Sequence, residues 1–283
     1  MILFKKVADL HKWIDVQKEK GHSVGFVPTM GALHNGHISL VEASKKENPV
    51  TVCSIFVNPA QFNDPTDFEK YPITLEKDIE MLEAAGSDIL FLPPVKEMYP
   101  DGIKNKIHYN IGYLETVLEG KFRPGHFQGV CTIVHRLLDI VRPDNLYLGQ
   151  KDYQQCMVII KLIELIRQDK KINVNLCPTL READGLAMSS RNMRLNKEER
   201  LNAIEIYCCL SMIKENLQLE DIAILQQRAY SMLEKKGFKI DYIEIADAKN
   251  LSAVKKWDGK NKLLALVAAF MNEVRLIDNM LLN

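Results

Sequence analysis

The strongest constraint on this chain is an alternation of two residue patterns. Short apolar runs rich in β-branched residues occur at 24–27, 50–57, 89–92, 145–148 and 172–176. Between them, residues 37–46, 73–85, 128–141 and 152–168 space their apolar positions as amphipathic helices do. Residues 5–20 do the same ahead of the first run, through Val7, Leu10, Ile14 and Val16. Strands joined by helical crossovers lie parallel, and continuously apolar strands are covered on both faces. The expectation is an α/β fold: a doubly wound, Rossmann-like parallel sheet. Pro28 is expected to end the first strand, and Pro93-Pro94 the third.

The last third of the chain reads differently. Asn196 with Glu199 three residues on resembles a capping box, which predicts a helix from there to about 216. A second helix is expected over 219–236, ended by Gly237. Residues 240–245 then alternate cleanly, and 263–270 form an apolar run. Helices followed by strands imply a smaller α+β domain. The expected division is 1–179 for a catalytic domain and 180–283 for the C-terminal one.

Composition narrows the partners. The 283 residues carry 37 Lys+Arg and 37 Asp+Glu, a formal net charge of zero. Broad binding of nucleic acid or acidic membrane needs a basic excess, so neither is expected. The six cysteines are dispersed and form no C-x-x-C, so free thiols are expected. The apolar run 263–271 is far shorter than the roughly 20 residues a membrane-spanning helix needs. The N-terminus lacks a signal-peptide apolar core. The reading is a soluble, cytoplasmic protein.

The sharpest motif is Pro28-Thr29-Met30-Gly31-Ala32-Leu33-His34-Asn35-Gly36-His37, between the first strand and a helix. Open α/β sheets bind ligands at the carboxyl ends of their strands. The segment is neither G-x-G-x-x-G nor a P-loop, since His37-Ile38 stands where Lys-Ser/Thr would. What remains is H-x-G-H at a helix start. Two imidazoles there, aided by free backbone N–H groups, suit phosphate oxygens. With seven His and 14 Gly, chance supplies only about 0.01 such matches per chain. Zinc is disfavoured, because the pair lacks i,i+4 spacing and a third ligand nearby.

Four further segments fall near strand ends or helix starts. Met188-Ser189-Ser190-Arg191-Asn192 offers hydroxyls and a guanidinium for a triphosphate. Gly149-Gln150-Lys151-Asp152-Tyr153-Gln154-Gln155 places a cation at a helix start, with Asp152 as expected cap and Gln155 one turn beyond Lys151. Asn58 and Gln61 bring amides to the end of the second run. Arg123-Pro124-Gly125-His126-Phe127 precedes a helix, and Arg123 suits a carboxylate. Each alone also reads as an ordinary surface turn. Their convergence on one sheet edge favours a site.

In order along the chain, these segments resemble the pantothenate synthetase (pantoate–β-alanine ligase) family. The likeness includes 27–37, 54–62, Tyr71-Pro72, Leu118-Glu119-Gly120, 123–127, 149–155, 181–192 and 275–279. The H-x-G-H and Met-Ser-Ser-Arg segments also resemble the two signatures of the wider nucleotidylyltransferase and class I aminoacyl-tRNA synthetase superfamily. The resemblance implies ATP-dependent joining of (R)-pantoate and β-alanine through a bound pantoyl adenylate, with release of AMP and pyrophosphate. It implies catalytic roles for His34, His37, Lys151 and Arg191. It implies ATP contacts from Pro28, Met30, Gly31, Ala32, Leu33, Asn35, Gly36, Gly149, Gln150, Asp152, Leu180, Met188, Ser189 and Ser190. Gln61, Gln155, Asn58, Arg123 and His126 would meet pantoate and β-alanine. Mg²⁺ would bridge ATP phosphates, mostly through water, with Asp78 near it. A homodimer is also implied. Gln150 and Ala60 depart from the residues many members carry, Glu and Met. A nucleotidylyltransferase shares the H-x-G-H, but the paired glutamines and the Arg123 loop favour a small carboxylic acid substrate. A nicotinamide dehydrogenase lacks its glycine fingerprint here.

Overall fold

The computed structural model describes residues 1–103 and 107–283. The chain divides into two compact units, 1–150 with 154–178, and 151–153 with 179–283. Lys151–Tyr153 thus group with the second unit, although they precede residue 179.

The first unit holds a six-stranded sheet. Its strands are β1 (Ile2–Phe4), β2 (Val24–Thr29), β3 (Val50–Ile55), β4 (Ile89–Phe91), β5 (Asn145–Gly149) and β6 (Asn173–Cys177). All pairs are parallel, in the order β1-β4-β3-β2-β5-β6. From β2 the chain winds outward to β4, then crosses back to β5 on the other side of β2. The order therefore reverses between β2 and β5, the switch point where open α/β sheets form a ligand crevice. The short edge strand β1 carries no periodic signal and was not expected.

Successive side chains along a strand point to opposite faces, and here both faces are buried. Phe26, Val52, Ile89, Phe91 and Leu146 join one core with helices Val7–Glu19 and His126–Val141. Val27, Cys53, Leu90 and Tyr147 join the other with helices Asn35–Glu47 and Leu75–Ala84. The approach on that side is close. A Cβ on Gly25 would sit 2.1 Å from Ser44 Oγ of the helix above it.

Pro28 does not end β2, which continues to Thr29. The Thr29 carbonyl faces β3, where it accepts the Phe56 N–H at 3.1 Å. Alternation turns Pro28 toward β5, and β5 pairs with β2 only at Gly25 and Phe26. The missing proline N–H therefore falls where no ladder bond was required.

The second unit packs helices Lys197–Ala203, Glu205–Asn216 and Ile222–Lys235 with a three-stranded antiparallel sheet. Its strands are β7 (Phe238–Asp247), β8 (Leu263–Met271) and β9 (Val274–Leu281), in that order. The helix expected over 196–216 is interrupted at Ile204. The Asn196 box is present: Asn196 Oδ1 accepts the Glu199 N–H and Glu199 Oε2 accepts the Asn196 N–H, both at 2.9 Å. Gly237 has φ +81 beyond the last helix, as a C′ glycine should. β9 was not anticipated as a strand because Asp278 and Asn279 interrupt its apolar alternation. Asp278 is buried nevertheless, held by a bidentate bridge from Arg181 at 2.5 and 3.1 Å. Among the described residues, no helix is long and apolar enough to cross a membrane.

Candidate active site

The crevice follows from strand lengths. β2 and β5 stop pairing at Phe26 and Leu146, yet β2 runs on to Thr29 and β5 to Gly149. The loop leaving β2 turns at Gly31 (φ +80) and Ala32 (φ +50). A non-glycine residue in the left-handed region needs outside support. Asp78 supplies it from helix Leu75–Ala84. Its Oδ2 accepts the Ala32 N–H at 2.9 Å, and its Oδ1 accepts the Leu33 N–H at 2.8 Å. Thr74 Oγ1 donates to the same Oδ1 at 2.9 Å. Thr29 Oγ1 accepts the Gly31 N–H at 3.2 Å and donates to the Ser54 carbonyl at 2.7 Å.

The two histidines then cap the next helix reciprocally. His34, the N-cap, accepts the Gly36 N–H on its Nδ1 at 3.2 Å. His37 accepts the His34 N–H on its own Nδ1 at 3.3 Å. The rings lie 4.0 Å apart, tilted by 39°. A neutral imidazole whose Nδ1 accepts carries its proton on Nε2. Each ring therefore takes a backbone N–H on Nδ1, which in the neutral imidazole leaves the ring proton on Nε2. At this helix start the Gly36 and His37 N–H groups are bonded to His34. The N–H groups of Gly31, Ala32, Leu33, His34 and Gly36 are all bonded within the loop or to Asp78. Imidazoles, being local and well placed, have taken the capping role that a bound anion would otherwise fill.

At the end of β3, Asn58 caps a single 3₁₀ turn, Pro59–Gln61. Its amide is fully used. Oδ1 accepts the Ala60 N–H at 3.3 Å and the Tyr99 hydroxyl at 2.5 Å. Nδ2 donates to Gln61 Oε1 at 3.1 Å and to the Gly129 carbonyl at 3.2 Å. Burial pushes the Tyr99 phenol up to about 12, so its O–H stays a donor at neutral pH. With Gln61 Oε1 held, Gln61 Nε2 points to Met30 Sδ at 3.0 Å, a weak acceptor. His126 Nδ1 contacts the Gln61 carbonyl at 2.8 Å, and its Nε2 lies 3.2 Å from Arg123 Nη1. Arg123 also approaches Glu119 at 3.6 Å. Asn58, Gln61, Arg123 and His126 are thus gathered as the sequence suggested. Asn58 and His126, however, have their polar atoms engaged by protein and are 1% and 4% exposed. Asn58 thus holds the Gln61 amide, and His126 meets the Gln61 carbonyl and Arg123. Gly129 allows the close approach, since a Cβ there would lie 2.2 Å from the Ala60 carbonyl oxygen.

Gly149 closes β5, and Gln150–Asp152 form a 3₁₀ turn leading into helix Tyr153–Leu165. Asp152 ends that turn and immediately precedes the helix. Gln155 is in the helix, half-buried. Its neighbour Gln154 is the structural glutamine. It accepts the Glu119 N–H at 2.9 Å and donates to the carbonyls of Leu114 and Val117 at 2.8 and 2.9 Å.

In the second unit, the Lys151 carbonyl accepts Asn279 Nδ2 at 2.7 Å, and the Tyr153 hydroxyl donates to the Ala248 carbonyl at 2.8 Å. Leu180 accepts the Met188 N–H at 3.0 Å, and Arg181 bridges Ala187, making a small hairpin. Arg181 fastens it, donating to the carbonyls of Gly185 (3.1 Å) and Asn279 (3.2 Å) as well as to Asp278. Ser189 Oγ accepts the Arg191 N–H at 3.3 Å and caps the 3₁₀ turn Ser190–Arg194. Ser190 is buried, and Arg191 is half-buried.

Among the described residues, no group of three His, Cys, Asp or Glu side chains is placed to hold a metal. Asp78, expected near magnesium, is 1% exposed with both oxygens committed to the loop and Thr74. Tyr99, Gln154 and Arg181 were not picked out as contributing residues from sequence, since each acts through a contact far away in the chain.

Known proteins bear on this geometry. The pantoate-beta-alanine ligase family model matches residues 2–281. The pantothenate synthetase of Cytophaga hutchinsonii is 44% identical over 285 residues, covering 100% of this chain and 99% of the relative. That of Bacteroides thetaiotaomicron is 44% identical over 281 residues, covering 99% and 98%. The crystal structure of pantothenate synthetase from Thermus thermophilus aligns with TM-score 0.91 at 40% identity, covering 99% of both chains. The pantoate-beta-alanine ligase of Francisella tularensis, solved with beta-gamma ATP and beta-alanine, aligns with TM-score 0.81 at 39% identity, covering 99% of this chain and 97% of that one. A full-length family match, with the H-x-G-H pair at the switch point of a six-stranded parallel sheet, places this chain in the pantoate–β-alanine ligase family of enzymes.

Proposed function

We propose that the chain condenses (R)-pantoate with β-alanine, driven by ATP, releasing pantothenate, AMP and pyrophosphate. The observation that carries this reading is the histidine pair. Its two rings accept backbone N–H groups on Nδ1 at the start of the helix that follows β2. The full-length family match and the ligands of the Francisella tularensis relative support it.

In the first half-reaction the pantoate carboxylate attacks the α-phosphorus of ATP. A P–O bond forms, the α–β bridge breaks, and pyrophosphate leaves with the electron pair. Charge builds on the phosphoryl oxygens, and preorganised donors stabilise it where it develops. His34 and His37 donate to those oxygens. Lys151, Ser189, Ser190 and Arg191 hold the triphosphate and the departing pyrophosphate. Backbone at Met30, Gly149 and Leu180, with Asp152, holds adenosine. Gln61 and Gln155 grip pantoate, with Arg123 beside them. In the second half-reaction the β-alanine amine attacks the acyl carbon. A C–N bond forms, AMP leaves, and the amine gives up a proton. Mg²⁺, carried on the ATP phosphates, would neutralise part of their charge. A buried adenylate is protected from hydrolysis. A homodimer and a cytoplasmic setting complete the proposal and come from the family resemblance.

The test is ATP–pyrophosphate exchange with Mg²⁺ and (R)-pantoate, with and without β-alanine. Exchange that needs pantoate but not β-alanine, followed by pantothenate once β-alanine is added, is the expected result. Absence of exchange in folded protein would overturn the two-step scheme. A pantoate-independent exchange with a phosphorylated acceptor would favour the nucleotidylyltransferase reading.

A further inference from the structure

We infer that Asp78 is a positioning residue for adenylation, acting through the backbone of the histidine loop and not through a metal ion. The inference rests on the ligase reading above. Asp78 sits in the first turn of helix Leu75–Ala84, and its own N–H is bonded to the Thr74 carbonyl at 2.9 Å. Its carboxylate reaches 45 and 46 residues back to two consecutive N–H groups, those of Leu33 and Ala32. Only an ionised carboxylate accepts on both oxygens while presenting no competing donor. An isosteric amide keeps one of these acceptors and sets an N–H₂ against the other backbone N–H.

The segment it holds has little freedom to adjust. Ala32 is left-handed at φ +50, so the loop occupies a conformation its sequence does not favour. Underneath, the space is closed. A Cβ on Gly31 would stand 3.0 Å from Ile55 Cγ2 and 3.1 Å from Asp78 Oδ2. Leu33, the second residue pinned by Asp78, immediately precedes the N-cap His34. The His34 N–H in turn orients His37 through Nδ1. Movement at Leu33 therefore passes within one residue to both imidazoles. Because catalytic donors must be held to within a fraction of an ångström, a small shift of the loop weakens both Nε2 donors together.

The histidines serve the phosphate groups, and pyrophosphate has left before β-alanine reacts. Asp78 should therefore matter for the first half-reaction and little for the second. The experiment compares wild type with Asp78→Asn and Thr74→Val in two assays: pantoate-dependent ATP–pyrophosphate exchange, and aminolysis of chemically supplied pantoyl adenylate by β-alanine. The Asp78→Asn protein should lose about tenfold to a hundredfold in exchange, while its aminolysis stays within about twofold of wild type. Thr74→Val, which removes only the third donor, should lose a few-fold in exchange alone. It keeps the question answerable where Asp78→Asn does not fold. Raising Mg²⁺ well above saturation should not restore either variant. Equal losses in both assays would make Asp78 merely structural, and recovery at high Mg²⁺ would make it an ion contact. Unchanged exchange in both variants would also overturn the inference. Failure of the ligase reading is separate, since it would appear as no exchange in the wild-type protein.

Discussion

Two helices of this protein, one in each unit, begin with the same hydrogen-bonding device. At Asn196 and at His34, the N-cap side chain accepts a backbone N–H of the first turn, and the residue three positions on accepts the N-cap N–H. In the Asn196 pair the acceptors are an amide and a carboxylate. Glu199 spends its second oxygen on Asn272 Nδ2 at 2.5 Å, so the device closes on protein. In the His34 pair the acceptors are imidazoles. One nitrogen serves the helix and the other, on the far side of a rigid ring, carries a donor N–H. The geometry of the cap is shared. The side-chain chemistry differs, and in the proposed mechanism that difference turns the His34 pair toward a substrate.

Substitutions can break this contrast in opposite directions. The largest effect is expected from His37→Asn. Asparagine retains an acceptor for the cap but loses the distant Nε2–H, so ATP–pyrophosphate exchange should fall about a hundredfold to a thousandfold. The melting temperature should move by only a few degrees. Next comes His37→Glu, which converts the site into the Asn196 type. It should keep or slightly raise stability, by about 0.3–1 kcal/mol, because a carboxylate suits a helix N-terminus. Exchange should still be lost, since the carboxylate repels phosphate. If activity survived, the role given to the imidazole donor would be wrong.

The reverse experiment is Asn196→Ala. It should cost about 1 kcal/mol in urea unfolding and leave exchange unchanged. The smallest effect is in pH. Hydrogen bonds from Asn272 and from the Asn196 backbone hold the Glu199 carboxyl below its ordinary range. Its contribution is therefore complete above the unfolded carboxylate range and is lost as pH falls through the depressed folded value. Unfolding measured from pH 6 to pH 3 should show a shallower loss for Glu199→Gln than for wild type. Equal slopes would show that Glu199 is not coupled to folding.

The sequence carried the motif side of this contrast well. His34 and His37 are adjacent to one strand end and three residues apart, so contiguous spacing displays them. Asn196 and Glu199 are legible for the same reason. The supports were not legible. Asp78 is separated from Ala32 by 46 residues and Tyr99 from Asn58 by 41, and each reads in sequence as an ordinary surface residue. A carboxylate near a phosphate site carries no sequence sign of which donors it meets. β9 was hidden by Asp278 and Asn279, which look like a turn until Arg181 is seen to pair one of them. Pro28 looked like a strand end because its missing N–H matters only if that side of β2 is paired.

What the sequence by itself determined was periodic or contiguous: parallel strands from apolar runs joined by helices, a separate C-terminal α+β unit, and the H-x-G-H at a strand end. Those features follow from side-chain spacing along one stretch of backbone. The tertiary structure alone decided the reversal of strand order between β2 and β5, and with it the crevice. It also decided that Asp78 takes the Ala32 and Leu33 amides and so holds the loop. Each of these is a hydrogen bond or a pairing between distant residues, and such partners are chosen only when the packed core brings them within about 3 Å.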